Sequence, residues 1–160
     1  MTQRLLDVTQ ASLAAGIAAA RVGNHVGDIG HAVQTVAEGA GFGVVRELVG
    51  HGIGARFHEE PQVPNYGVPK RGPRLLEGMT IAIEPMITAG DHTTRTLDDK
   101  WTVVTEDGSL AAHFAHTVAI TKDGIRFVQD RHPTCWGRSC TDSGRKIKVR
   151  NIIIGSISIK

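Results

Sequence analysis

Two histidines in a short, glycine-rich stretch are the side chains of this sequence best suited to chemistry. His51 lies within GHGIG at 50–54, and His58 follows seven residues later within FHEEP at 57–61. Glycines let the backbone approach neighbouring groups closely and leave an imidazole open. Imidazoles bind metal ions or transfer protons near neutral pH. A lone histidine is more often structural, but two in this setting leave a structural and a functional interpretation equally open.

A carboxylate inside an apolar segment is the second such feature. Glu84 interrupts the run Thr80–Met86, and burying an unpaired carboxylate is costly. The charge therefore needs either a salt bridge to a nearby arginine or a bound metal ion. Two further histidines, His113 and His116, lie on opposite faces of a predicted strand. For His116 a packed or solvated side chain is the favoured interpretation.

Two helices and several strands are expected to position these side chains. Apolar residues at helical spacing predict a helix over 4–21 and a second helix that starts from an N-cap at Asp28 and ends near 39–43. Segments 50–54 and 58–74, the latter with four prolines, are expected to be irregular loops. Alternating residues predict strands at Val44–Val45, Met79–Ile87, Trp101–Thr105, Ala112–Thr121 and Ile125–Val128. These elements predict an α+β fold, with two helices packed on an antiparallel sheet.

The composition is that of one globular domain followed by a basic tail. The chain has 160 residues, and no apolar run approaches the roughly 20 residues of a membrane span. The N-terminus lacks a signal-peptide pattern, so a cytoplasmic location is expected. Residues 1–130 carry 11 basic and 15 acidic side chains, whereas residues 131–160 carry 7 basic and 1 acidic. We expect a domain over 1–130 and an unmatched tail over 131–160, with Cys135 and Cys140 as reduced thiols.

Long motifs in these segments resemble the type I methionine aminopeptidases. The similar segments are GHGIG at 50–54, FHEEP at 57–61, VPN at 63–65, GMTIAIEPM at 78–86 and WTVVTEDGSLAAHFAHTVAIT at 101–121. They occur in the family's order between about Leu5 and Val128, which makes the resemblance specific. The resemblance implies the C-terminal half of a pita-bread fold, the architecture of this metallopeptidase family.

The resemblance also implies an activity and a set of site residues. Members of the family use two divalent metal ions, which acidify a water that attacks the peptide bond after the initiator methionine of a nascent protein. Matched by motif, His51 and Glu84 would ligate metal, and His58 would contact the substrate and act in catalysis. Phe57 and Trp101 would line the methionine pocket. Histidine and glutamate donors leave the metal open among Co, Mn, Fe, Zn and Ni.

Two departures from the family pattern predict an incomplete metal site. The family has two aspartate ligands eleven positions apart, and no aspartate of this chain has such a partner. Ala115 stands where the family has a glutamate that bridges both ions. His113 shares the predicted strand face of Ala115 and would be a surrogate ligand for one ion, although an imidazole does not bridge two. With three of five ligands absent, we expect a truncated or diverged copy that is inactive or severely impaired on its own.

Three alternatives stay open at this stage. A non-catalytic module would keep the pocket and bind peptide N-termini without cutting them. One half of a split enzyme would take the aspartates from a partner chain, which Ala115 disfavours. The basic tail would contact the ribosome through its RNA or be a solvated extension, since it contains no RNA-binding motif. Self-association is also expected, through the surface that the other half would cover.

Overall fold

A computed structural model describes residues 2–128 of the chain, together with the backbone of two short strands at 152–154 and 157–158. Within these residues no helix is long and apolar enough to cross a membrane. Cys135 and Cys140 lie outside the described residues, and the expected division into 1–130 and 131–160 stays a prediction.

Two helices begin the chain: α1 spans Thr2–Ala19 and α2 spans Val26–Gly39. Both were expected from the helical spacing of apolar residues, and the structure confirms them. The predicted N-cap of α2 is wrong, because His25 and not Asp28 precedes the first turn. Asp28 lies within that turn, where its carboxylate accepts a 2.7 Å hydrogen bond from the His25 backbone N–H. That hydrogen bond is the main cause of the lowered pKa of Asp28, and an acid at this position also suits the helix dipole.

The described strands form three antiparallel sheets. They are β1 (Gly43–Val44), β2 (Gly50–Gly52), β3 (Glu59–Val63), β4 (Thr80–Ile83), β5 (Met86–Thr88), β6 (Thr94–Thr96), β7 (Thr102–Thr105), β8 (Ala111–His113), β9 (His116–Thr121), β10 (Gly124–Phe127), β11 (Ile152–Ile154) and β12 (Ile157–Ser158). The strand orders are β1-β5-β8-β11, β10-β9-β4-β2-β3 and β12-β7-β6. The predicted α+β class is confirmed, with three sheets where one was expected.

Two segments that were each predicted to be one long strand are interrupted, and the two interruptions lie side by side. The segment Met79–Ile87 divides into β4 and β5 at Glu84-Pro85, and Ala112–Thr121 divides into β8 and β9 at Phe114-Ala115. Proline lacks the N–H that a ladder needs. The Phe114 N–H donates instead to the Pro85 carbonyl across the gap, at 3.3 Å. We call these two adjoining interruptions the double break; the prediction of uninterrupted strands is wrong at this point.

The prediction of irregular loops at 50–54 and 58–74 is also wrong in part, because β2 and β3 lie within them and pair with each other. Glycines let β2 approach both of its neighbours closely: a Cβ at Gly52 would overlap the Glu60 carbonyl of β3, and one at Gly50 would overlap the Ala82 carbonyl of β4. Pro61 is tolerated because β3 is the edge strand of its sheet. Strand β6 was not predicted either.

One hydrophobic core joins the helices to both larger sheets. Gly16 brings α1 close to α2, since a Cβ there would lie 2.8 Å from Val33 Cγ2. Phe114 is fully buried at the double break. The core cluster draws on each of these layers and includes Leu5, Leu13, Ile29, Ala37, Val44, Ile81, Ile83, Ile87, Phe114, Val118 and Ile120. The core therefore spans the double break and holds the strand ends around it in place.

Candidate functional site

His51 lies on β2, and one of its two ring nitrogens is hydrogen-bonded to the backbone. Its Nδ1–H donates to the Gly52 carbonyl at 2.9 Å. Because a carbonyl oxygen only accepts, this bond fixes the tautomer of the neutral ring, in which Nε2 carries the lone pair. The side chain is buried, so the backbone bond holds the ring in one orientation. This is the arrangement of an imidazole prepared to bind a cation or accept a proton.

Glu84 faces His51 from the end of β4. The distance from His51 Nε2 to Glu84 Oε1 is 3.7 Å. Burial raises the pKa of Glu84, while the charges of His51 and His58 act in the opposite direction. Within residues 2–128 the titratable partner of Glu84 is therefore a histidine, and no arginine of these residues makes the salt bridge considered from the sequence.

His58 and Phe57 complete an aromatic cluster on His51. The ring centroids of His51 and His58 are 4.1 Å apart, and Phe57 lies 5.3 Å from His51 and 4.6 Å from His58. Phe57 is 66% exposed, so an apolar ring faces solvent beside two imidazoles. The structure therefore brings together four of the predicted site residues.

In the described residues, Trp101 is not part of this aromatic cluster. It is 53% exposed and precedes β7 in the smallest sheet. Its backbone N–H donates to the Asp99 carboxylate at 3.0 Å. Its assignment to a methionine pocket stays a prediction.

The strand register places Ala115 directly opposite Glu84. Ile83 pairs with His116 on one side of the double break, and Met86 pairs with His113 on the other. Both pairings follow a single register, which sets Glu84 opposite Ala115 when it is continued across the double break. In this register the residue opposite Glu84 carries a methyl group and no donor atom.

His113 lies two pairs further along, opposite Met86. Burial lowers the pKa of His113, and its Nδ1 is buried without a hydrogen-bond partner among the described residues. In residues 2–128 no three His, Cys, Asp or Glu side chains converge on a point that could hold a metal ion. The structure therefore does not bring His113 into a ligand set with His51 and Glu84.

Asn65 is a site residue to which the sequence gave no role. It is completely buried, and its Nδ2 donates to the backbone carbonyl of Glu84 at 2.9 Å. The sequence offers one weak signal, a polar amide directly after Val63-Pro64 in a segment otherwise expected to be a loop. Burial of this amide could not be read from the local pattern.

Comparison with known proteins identifies the family to which this chain belongs. Metallopeptidase family M24 matches residues 1–122, and the chain belongs to that family. Within it, the chain is similar to methionine aminopeptidases, which confirms the resemblance seen in the sequence. It is 53% identical over 123 residues to methionine aminopeptidase 1 of Bacillus subtilis, a match that covers 77% of this chain and 50% of the relative.

Two solved methionine aminopeptidases show the same fold. The enzyme of Rickettsia prowazekii superposes with a TM-score of 0.77 at 46% identity, over 79% of this chain and 51% of that one. The enzyme of Thermotoga maritima gives a TM-score of 0.78 at 44% identity, over 81% and 52%. The chain thus has part of the pita-bread architecture and spans about half the length of the relatives it matches.

The two-metal centre expected from the family does not fit the described residues. They offer one imidazole and one carboxylate, 3.7 Å apart, with a methyl group at the neighbouring position. Two donors leave most of the coordination shell of a divalent ion open, unlike a site with three or four protein ligands. Residues 2–128 alone therefore account for part of the coordination of a single ion.

Proposed function

We propose that this chain is a methionine aminopeptidase homologue whose residues 2–128 carry part of the metal centre, and that the chain does not by itself remove the initiator methionine. The observation that carries the proposal is the pair of His51 and Glu84, which has no third donor among the described residues. The family's dinuclear hydrolysis needs the absent aspartates and a carboxylate at the position of Ala115.

We assign the surviving site residues as follows. His51 and Glu84 are the remaining metal ligands, for a divalent ion whose identity is open among those the sequence allows. His58, whose ring lies 4.1 Å from that of His51 in a tilted arrangement, contacts the substrate amide, and Phe57 is the exposed apolar wall beside it. The substrate class is the N-terminus of nascent proteins in the cytoplasm.

The test is methionine release from the peptide Met-Ala-Ser by the purified full chain, with Mn²⁺ or Co²⁺ present and chromatographic detection of free methionine. The full-length Bacillus subtilis enzyme is the positive control. We expect release by the control and none by the chain. Turnover by the chain that disappears in Glu84→Gln would overturn the proposal, because the described residues would then suffice for catalysis.

A second candidate function is peptide binding without hydrolysis, favoured by the exposed Phe57 ring beside two imidazoles. Calorimetry with Met-Ala-Ser in the presence of a chelator tests this function. Phe57→Ala should abolish the heat of binding, and Val68→Ala, which removes another side chain of similar exposure (63%), should leave it unchanged. Absence of binding by the parent chain rules the module out.

We further propose that the chain associates with itself, since about half of the relatives' length has no counterpart in it. Light scattering of the purified chain measures this directly, and a monomer at all concentrations contradicts it. A ribosome contact through residues 131–160 is a separate proposal, and co-sedimentation with ribosomes at low and high salt tests it.

A further inference from the structure

A buried amide connects a turn outside the ligand set to the backbone of Glu84. The side-chain nitrogen of Asn65 donates to the Glu84 carbonyl at 2.9 Å, and Asn65 has no solvent exposure. The two residues are 19 positions apart in sequence, so this bond is a tertiary contact. It reaches the chain at the double break, where Glu84 itself makes no ladder pairing.

The double break is the place where such a contact matters most. Strand β4 ends at Ile83, and Pro85 follows Glu84 without an N–H to donate. Side-chain direction in a strand is set by the ladder on both sides of a residue, and here the ladder is interrupted. The Asn65 bond supplies an anchor at Glu84 that the sheet does not.

Asn65 is itself held by close packing against α2. The segment that carries it lies so near the helix that a Cβ at Gly30 would overlap the carbonyl oxygens of Pro64 and Tyr66. A rigid helix therefore fixes the turn, and the turn fixes the amide. The second polar atom, Oδ1, is buried and has no hydrogen-bond partner among residues 2–128. Because a buried polar atom without a partner costs free energy, the stability of these residues alone does not favour an asparagine at this position.

We propose that Asn65 is a positioning residue, which holds the Glu84 backbone so that the carboxylate faces His51 Nε2. This inference deepens the proposed function, because it concerns the same pair of metal-binding side chains. Asn65 touches neither metal nor substrate and acts through Glu84. Outer-shell partners of metal ligands typically change metal affinity by about 10- to 100-fold when they are removed.

The test uses the full chain and the variant Asn65→Leu, which has a similar shape and lacks both the donor and the unpaired oxygen. Thr9→Val is the matched control: Thr9 is also fully buried and donates to a backbone carbonyl, that of Leu5, in α1. Asn65→Ser is the second variant if leucine does not fit, since its hydroxyl is too short to reach the Glu84 carbonyl.

Two readouts separate positioning from general stability. The first is the metal-free NMR spectrum of the His51 ring and the Glu84 carboxyl carbon at constant pH. The second is the dissociation constant for Co²⁺. We expect Asn65→Leu to displace both sets of signals and to raise the Co²⁺ dissociation constant about tenfold or more, with Thr9→Val changing neither.

The proposal would be overturned if the His51 and Glu84 signals of Asn65→Leu kept the positions that they have in the parent chain. It would also be overturned if Thr9→Val displaced these signals as far as Asn65→Leu does. If the parent chain binds no Co²⁺, the metal part of the proposed function fails. The metal-free spectra then decide the positioning role alone.

Discussion

Replacing Ala115 with glutamate tests the geometry of the site most directly. The register on both sides of the double break places residue 115 opposite Glu84. If the spacing of directly opposed side chains in an antiparallel pair carries across the double break, the two Cβ atoms lie about 5 Å apart. Ala115→Glu therefore sets a second carboxylate beside one whose pKa burial already raises.

The magnitude follows from Coulomb's law. Two unit charges about 5 Å apart repel by about 3 kcal/mol at an effective dielectric constant near 20, and by somewhat less than 1 kcal/mol in water. The repulsion favours protonation in the folded state, so the folded pKa of each carboxyl lies above its unfolded value. The contribution of this carboxyl pair to the free energy of unfolding is therefore most favourable at low pH and is lost as pH rises through the folded pKa values. For a chain of this size, about 1–3 kcal/mol corresponds to a midpoint lowered by roughly 3–10 °C.

Thermal denaturation at several pH values measures the effect, with Ala115→Gln as the uncharged control of equal size. We expect Ala115→Glu to be less stable than Ala115→Gln at pH 8 and equally stable below pH 4. Excess Co²⁺ should raise the midpoint of Ala115→Glu more than that of the parent chain, because a third donor strengthens binding to the folded state. Identical curves for the two variants at pH 8, with and without Co²⁺, would refute the placement of residue 115 beside Glu84.

Three further predictions concern the fold around the site. Gly16→Ala should lower the free energy of unfolding by about 1–3 kcal/mol in urea titrations, because its Cβ would press on Val33. Phe114→Ala should cost about 3–5 kcal/mol in the same assay, since it empties the core at the double break. Asp107 has a pKa of about 2 because the Ser109 backbone N–H, and also that of Asp91, donate to it. Its stabilising effect is complete above pH 3.8 and lost as pH falls through about 2, so Asp107→Asn should flatten the acid limb of the stability profile.

The sequence predicted most of the secondary structure where one periodic pattern decides it. Helices α1 and α2 bury one face, and their apolar residues recur at helical spacing. Alternation also located the segments around β4 and β9. Alternation could not reveal the double break, because the period-two pattern continues through Glu84. The pairing register is also the same on both sides of the break. A ladder interruption depends on hydrogen bonds between strands, which a pattern along one strand does not record.

The prediction of the site residues depended on the resemblance of sequence motifs to the family more than on the spacing of the residues. His51, His58 and Glu84 came from three separate segments, and their proximity depends on the pairing of β2 with β3 and with β4. The loop expected around His58 hid that pairing, since prolines usually exclude a strand. Asn65 gave no signal of its burial, because an asparagine after a proline is ordinarily a turn residue on the surface.

The core spans the double break, whereas Ala115 is only half-buried and stands outside the core cluster. The residues that form the core and the residue opposite Glu84 thus lie in the same few strands but are different residues. Selection that acts on folding alone would preserve Phe114 and Ile83 and leave position 115 free to drift. High overall identity to a relative, such as the 53% shared with the Bacillus subtilis enzyme, therefore reports on core residues of this kind. It does not report which side chain stands at position 115.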